Sequence, residues 1–254
     1  MLNGMSWTNQ MESLAAQYPG EEAGKQRRDV PRIVFNLSLA LDGLPQGSRI
    51  ADIGGGLGLF SVGAAALGMR VTLVDDFQDP GNIPIADAIL NIHRRLGVEI
   101  DRRDVIHNGL TFEPASFDVI TSFDSIEHWH ASPKGVLHQM VAALKSGGRL
   151  VIGVPNCVNL RKRLTVPLGR GKWSSMADWY EQPTFRGHVR EPDVGDLLYI
   201  ARDLELTNTR ILGRNWVGYV SSSRPIRIAT ILCDRLLRHF PTLCADIYLV
   251  GYKL

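Results

Sequence analysis

Cysteine is scarce: Cys157, Cys233 and Cys244 are the only three in 254 residues, odd in number and without C-x-x-C spacing. That excludes a disulfide framework and a paired-cysteine zinc site, and it suits a reducing cytoplasm. Long apolar runs are missing too, since no stretch approaches the ~18 residues of a spanning helix. Met1 to Gln17 lacks a basic stretch followed by an apolar core, so secretion is not expected and the cytoplasm is. Charge of one sign is lacking: 28 Lys and Arg against 26 Asp and Glu leave a net +2, too weak to announce a nucleic-acid binder. Internal repeats and low-complexity tracts are absent. What remains is ordinary globular material, 44% hydrophobic and 21% charged, long enough for one large α/β unit or a core with a small cap. The 25 glycines against 13 prolines, with no G-x-y period, point to tight turns and close backbone approaches.

Alternating strand and helix patterns organise the middle of the chain. Residues 49–53 read as a short buried strand, and glycines lead into a helix over Leu57 to Leu67 that Gly68 ends. A second strand follows at 70–75. Ile85, Ile89, Ile92 and Leu96 then recur at helical spacing up to Gly97. Val98 to Val105 reads as a third strand and Phe117 to Ser122 as a fourth. Ser132 and Pro133 open a helix through Leu144, which Gly147 and Gly148 end before a fifth strand at 149–154. This rhythm predicts an α/β fold, doubly wound, with a mainly parallel sheet, right-handed crossovers and ligands at the strand carboxyl ends.

Residues 156–190 break the rhythm and read as a cap over that edge. Asp193 to Leu204 resumes as helix, with strands at 206–212 and 245–253 completing seven. An insertion at 214–244 carries an amphipathic helix over 225–240, with Ala229, Leu232, Cys233, Leu236 and Phe240 on one face and Arg227, Asp234 and Arg238 on the other. Its apolar stripe is expected to pack on the core or on a second copy in a homodimer. The whole chain is read as one domain, 1–254, with residues 1–47 as an N-terminal helical lid.

The informative segment is Asp52-Ile53-Gly54-Gly55-Gly56-Leu57-Gly58, set between strand and helix. Glycines there let the backbone pass close to a ligand and aim the free N–H groups of the helix at the cleft. A dinucleotide loop wants G-x-G-x-x-G, but its third glycine would fall on Leu59. A Walker-type phosphate loop needs lysine and Ser or Thr, which are missing. The acidic Asp52 instead stands where a cationic ligand group would be welcome.

This segment resembles motif I of class I S-adenosylmethionine-dependent methyltransferases, and the resemblance covers roughly residues 48–213. Phe117 to His128 (FDVITSFDSIEH) and Leu144 to Asn156 (LKSGGRLVIGVPN) look like the fourth- and fifth-strand segments of ubiquinone-type O-methyltransferases. It implies a Rossmann-like seven-stranded fold and S-adenosylmethionine as cofactor. Asp52, Gly54, Gly56 and Gly58 would then line the cofactor, and Asp75 would hold the ribose hydroxyls, with Asp76 its competitor. Asp104 and Val105 would lie beside adenine, and Ser122 and Phe123 would complete the cofactor set.

Methyl transfer to an alcohol or phenol needs a proton acceptor, and a histidine near neutral pKa is the usual one. His128 is the candidate, just past the fourth strand, with a structural role as its alternative. His188 in the cap is its rival. His93, His107, His130 and His138 read as surface residues. Asp124 and Glu127, at i, i+3 spacing, read as a solvated pair, and no metal is assigned. Cys157 reads as a buried small residue.

The cap is basic: Arg161, Lys162, Arg163, Arg170, Lys172, Arg186 and Arg190 against Asp178 and Glu181. With Trp173, Trp179, Tyr180 and Phe185 among them, it is expected to choose the acceptor, Arg186, Arg190, His188 and Tyr180 making contact. The function read from these residues is methyl transfer to a hydroxyl of a small metabolite or a glycan or glycolipid precursor. An RNA methyltransferase is the alternative, opposed by the modest charge and the absence of an N-P-P-Y turn. A cofactor-binding regulator without catalysis is the other.

Overall fold

A computed structural model describes residues 2–79, 83–170, 174–216 and 223–254. Seven strands, β1 (Arg49–Ile53), β2 (Arg70–Asp75), β3 (Glu99–Arg102), β4 (Phe117–Phe123), β5 (Leu144–Pro155), β6 (Thr207–Arg214) and β7 (Asp246–Tyr252), form one sheet in the order β3-β2-β1-β4-β5-β7-β6. All pairings from β3 through β5 are parallel, while β7 runs antiparallel to both β5 and β6. This is the doubly wound methyltransferase architecture that the sequence implied.

Successive strand residues point to opposite faces, so each buried strand feeds two cores. Ile50, Leu73, Val119 and Val151 join one, packed under α1 (Leu2–Ala15), α2 (Gly20–Leu41), α3 (Leu59–Ala66) and α4 (Ile83–Arg95). Ala51, Val74, Ile120 and Ile152 join the other. Beyond a short α5 (Val105–Asn108), that second core is covered by α6 (Lys134–Ala143) and, past α7 (Leu160–Thr165) and α8 (Met176–Tyr180), by α9 (Val194–Asp203). Leu137 and Met140 of α6 and Leu197 of α9 are almost wholly buried there, each contributing roughly 1.5–3 kcal/mol.

Several expectations need correction. The segment 1–47 is helical as expected, and it is built into the core: Met11, Leu14, Val30, Ile33 and Leu37 are core residues, and Arg149 donates to the carbonyls of Leu39, Ala40 and Asp42 at the end of α2. Gly147 and Gly148 do not end a helix. The helix stops at Ala143, and the pair forms an irregularity within β5, where Gly147 N and Gly148 O bond Lys253 of the edge next door. The third strand ends at Arg102, and Val105 already belongs to α5.

The last helix, α10 (Arg224–Leu237), departs from its expected faces at one polar position and along its apolar stripe, while Arg227 and Arg238 are exposed as expected. Asp234, placed on the polar side, is buried and accepts hydrogen bonds from Arg214 Nε (3.0 Å) and Asn215 N (2.8 Å). Leu232, Leu236 and Phe240 are exposed, so the apolar stripe does not pack on the core. A paired buried carboxylate fixes the helix at a position where periodicity alone gave exposure. Among the described residues, no helix is long and apolar enough to cross a membrane.

Candidate active site

A cleft of about 550 Å³ runs along the carboxyl ends of β1, β2, β3 and β4, where the parallel strands and helix N-termini converge. The glycine loop forms one wall. Gly54 and Gly56 have φ of 68° and 57°, the left-handed region where a Cβ is disfavoured. A Cβ on Gly54 would stand 1.8 Å from Ser125 Oγ, so the loop and the end of β4 touch closely. One on Gly56 would meet nothing within 4 Å: it would project into the cleft itself. Gly58 lies deeper, as the N-cap of α3 with its carbonyl accepting from Tyr18 OH at 3.1 Å.

Asp75, closing β2, lines the cleft and organises it. Its Oδ2 accepts from Gly56 N (3.0 Å) and its Oδ1 from Phe77 N (2.7 Å). Burial pushes this carboxyl up from its ordinary value, against those two hydrogen bonds. Asp104 caps α5, accepting from Ile106 N at 2.9 Å and pairing with His107 Nδ1 at 2.7 Å. Burial raises its pKa, but the hydrogen bonds from His107 and Ile106 outweigh that and hold it below the usual carboxylate range. Val105 lines the cleft beside it.

Asp52 is not at the cleft surface. It is 1% exposed, its Oδ2 accepting from Ser61 Oγ (2.7 Å) and its Oδ1 from Thr121 Oγ1 (2.9 Å), so it ties α3 to β4 from behind the loop. Any Cβ on Gly55 would come within 2.2 Å of its Oδ2. Burial pushes the Asp52 carboxyl up to about 6, although both hydroxyls favour its ionised form. The folded chain therefore keeps a proton that the unfolded chain releases, and the stability linked to it is lost as pH rises from about 4 to about 6. Asp52→Asn is neutral throughout. Its urea-unfolding free energy is expected to gain on wild type across that window and to hold a constant gap above it. A gap independent of pH would return Asp52 to an ordinary carboxylate.

Ser122 and Phe123 are also withdrawn from the cleft: Ser122 is buried, and Phe123 packs on Phe60 with ring centroids 5.0 Å apart. Beyond them the chain turns through Asp124, at φ 49°, which Arg32 of α2 engages in an ion pair. The expected solvated pair of Asp124 and Glu127 does not form, because Glu127 is only 1% exposed. Among the described residues neither Glu127 carboxylate oxygen has a hydrogen-bond partner. Burial, with Asp124 second, pushes the carboxyl up to about 8. Its backbone is engaged instead: the Glu127 carbonyl accepts from Val189 N (2.7 Å) and Arg190 N (3.2 Å) of the cap.

His128 lines the cleft, and its Nδ1 meets the Arg186 carbonyl at 2.7 Å. A carbonyl only accepts, so Nδ1 carries the proton and Nε2 the lone pair. Burial, with His188 second, lowers its pKa, which keeps the ring neutral at pH 7. His188 stands edge-on to it, centroids 4.7 Å apart, with Nδ1 2.7 Å from Glu191 Oε1; Lys162 pairs with the same carboxylate. The two rival histidines thus form one cluster.

Three of the cap cations are held by carboxylates within the protein, while Arg161, Arg163 and Arg170 are exposed without an ion pair among the described residues. Arg186 reaches across the cleft to Asp76, with Nη1 3.2 Å from Oδ1 and Nη2 2.9 Å from Oδ2. Two residues expected to face different ligands therefore hold each other. Arg190 pairs with Asp196 of α9, Lys162 with Glu191, and Tyr180 is 76% exposed, outside the cleft. Lys172 and Trp173 lie outside the described residues. Cys157 is half-buried. His93 is fully buried with Nδ1 on the Ile89 carbonyl, whereas His107, His130 and His138 are exposed as expected, His107 and His130 at the rim of the cleft. Phe185, one of the cap aromatics, lines the cleft, as do Trp129 and Thr184, which the sequence reading did not single out.

A family model described as a methyltransferase domain matches residues 24–211, so the chain belongs to that family. It is an S-adenosylmethionine-dependent methyltransferase of class I. Its curated relatives include the ubiquinone biosynthesis O-methyltransferases of Xanthomonas axonopodis pv. citri, 32% identical over 117 residues (44% of this chain, 45% of that one), and of a Ruegeria species, 35% identical over 123 residues (48% and 47%). The chain thus spans about half the length of the curated relatives it matches. Among solved structures, an Archaeoglobus fulgidus S-adenosylmethionine-dependent methyltransferase aligns with TM-score 0.57 at 17% identity, covering 92% of this chain and 97% of that one. Phosphoethanolamine N-methyltransferase 2 of Haemonchus contortus, solved with S-adenosylmethionine, gives TM-score 0.57 at 18% identity over 88% and 52% of the two chains. The cleft fits this cofactor, since open space lies where a Gly56 side chain would project and the Asp75 carboxylate stands beside it.

Proposed function

We propose that the protein methylates a hydroxyl oxygen of a small acceptor, a phenol or a hydroxylated glycan or lipid precursor. The observation that carries this reading is His128, neutral, lining the cofactor cleft, with its Nε2 lone pair left free by the Nδ1 bond to the Arg186 carbonyl. The names of the ubiquinone-type relatives support oxygen as the methylated atom. Trp129, His130 and Phe185 give the acceptor side an aromatic lining suited to a ring. Arg186, the cap arginine that lines the cleft, is held by Asp76, which favours a neutral acceptor over RNA or a phosphorylated one.

The cofactor supplies an electrophilic methyl group on a sulfonium sulfur, so the protein's task is placement, exclusion of water and removal of one proton. Asp75 would hold the ribose, Asp104 and Val105 the adenine side, and the glycine loop would admit the remainder. His128 Nε2 would take the hydroxyl proton as the oxygen–methyl bond forms. Incubation with radiolabelled methyl donor and a fractionated panel of phenols, glycan precursors and RNA tests this. Alkali-stable label in a hydroxylated small molecule is expected; label in RNA alone, or in nothing, would overturn it.

The Arg186–Asp76 clamp sits beside Asp75, so Arg186→Ala is expected to weaken cofactor binding as well as acceptor use. The pair is partly exposed and worth under ~1 kcal/mol, a loss of about fivefold at most. Calorimetry finding cofactor affinity unchanged would assign Arg186 to the acceptor alone.

A further inference from the structure

The cluster behind the cleft wall holds an unusual set of unused donors. Glu127 is buried with both carboxylate oxygens unpartnered among the described residues, so ionising it costs free energy unless a cation pairs with it. Among the described residues no lysine or arginine bonds it. His128 Nε2 lies 3.9 Å from Glu127 Oε1, and one ligand atom from each of Glu127, His128 and His188 falls within 4.8 Å of the other two.

Both histidines are also prepared from behind. His128 Nδ1 is committed to the Arg186 carbonyl and His188 Nδ1 to Glu191, itself fixed by Lys162. A backbone carbonyl on one imidazole and a carboxylate on the other is the outer arrangement that orients metal-bound histidines and makes the far nitrogen a better donor. We propose that Glu127, His128 and His188 bind a divalent first-row transition-metal ion at the edge of the methyl-transfer cleft.

Two imidazoles and one carboxylate suit zinc, manganese or iron better than magnesium, which prefers oxygen throughout. Ligands at ~2.0–2.2 Å from a tetrahedral ion lie roughly 3.3 Å apart, so the 3.9 Å pair needs to close by only about half an ångström. Three protein ligands leave positions open toward the cleft, which His128 lines. With the ion bound, His128 Nε2 is a ligand and no longer the base, so the ion takes over activation of the acceptor: a hydroxyl bound to it would release its proton to solvent, and its oxygen would form the new bond to carbon as the sulfur–methyl bond breaks. Only this last consequence rests on the proposed hydroxyl acceptor. Cation binding does not.

The test is titration calorimetry of Zn²⁺, Mn²⁺ and Mg²⁺ into the chelator-stripped full chain, with neither acceptor nor methyl donor present. One site is expected, Zn²⁺ binding tighter than Mn²⁺ and Mg²⁺ at least 100-fold weaker than Zn²⁺. Glu127→Gln removes the charge but keeps the volume; it is expected to fold, melt no lower than the stripped wild type, and lose at least 100-fold in Zn²⁺ affinity. His188→Ala should lose a similar factor, and Co²⁺ bound to wild type should give visible absorption bands that both variants lack. Wild type that binds none of these ions, or two folded variants that bind Zn²⁺ as wild type does, would overturn the metal site while leaving the methyltransferase reading intact. Cation binding without methylation of any hydroxyl compound would do the reverse.

Discussion

Gly56→Val is expected to abolish S-adenosylmethionine binding, at least 100-fold in dissociation constant, in a chain that still folds. Two costs combine. The residue sits at φ 57°, where a β-branched side chain is strained by roughly 1–2 kcal/mol. The larger cost is volume, since the Cβ of residue 56 points into open cleft and the valine methyls would occupy it. Because nothing in the protein lies within 4 Å of that Cβ, no neighbouring group rejects the variant and its folding cost is the backbone strain alone, which separates loss of binding from loss of structure. Gly56→Ala, with less volume, should fall between the two. A folded Gly56→Val protein with wild-type affinity in calorimetry would remove the loop from the cofactor site.

His128→Ala is expected to lower kcat by ~100-fold or more, with cofactor affinity near that of wild type. The imidazole is reached from the cleft and its pKa is depressed by burial and by His188, so the wild-type enzyme is active in the deprotonated form. The sign follows directly: activity rises with pH through a value below the ordinary 6.5 and is level above it. In kcat/KM this limb reports the free enzyme, and it should vanish in the alanine variant. An acid limb that persists unchanged in His128→Ala, or a variant with wild-type kcat, would make His128 a packing residue.

Much of this architecture is written locally. Strand β2 and the loop 52–58 can be read because a buried strand needs an unbroken apolar run and a sharp strand-to-helix turn needs glycine, and both demands fall on neighbouring residues. The mainly parallel character of the sheet follows from the same alternation, whereas the antiparallel insertion of β7 between β5 and β6 does not. What could not be read are the pairings between charges distant in sequence. Arg186 and Asp76 are 110 residues apart, and each alone looked like a ligand contact. Asp234 looked solvent-facing by periodicity, yet Arg214 and Asn215 hold it in a buried pair. Asp52 has the type and position of a ligand-facing acid, but Ser61 and Thr121 turn it away, a fact that needs the helix angle as well as the motif. Pro31 would end a helix by local rules, and α2 passes through it because its flanks are held by burial of Val30, Ile33 and Leu37.

The cap is fastened to the floor of the cleft chiefly by main-chain atoms: Val189 N and Arg190 N on the Glu127 carbonyl, and the Arg186 carbonyl on His128. Such a seam does not depend on which side chains the cap carries between residues 157 and 185. Lineages could therefore exchange that stretch freely while the hinge geometry stays the same, and a designer can do likewise. Grafting a foreign cap segment between Asn156 and Arg186 changes what is admitted to the cleft without rebuilding the joint that holds it.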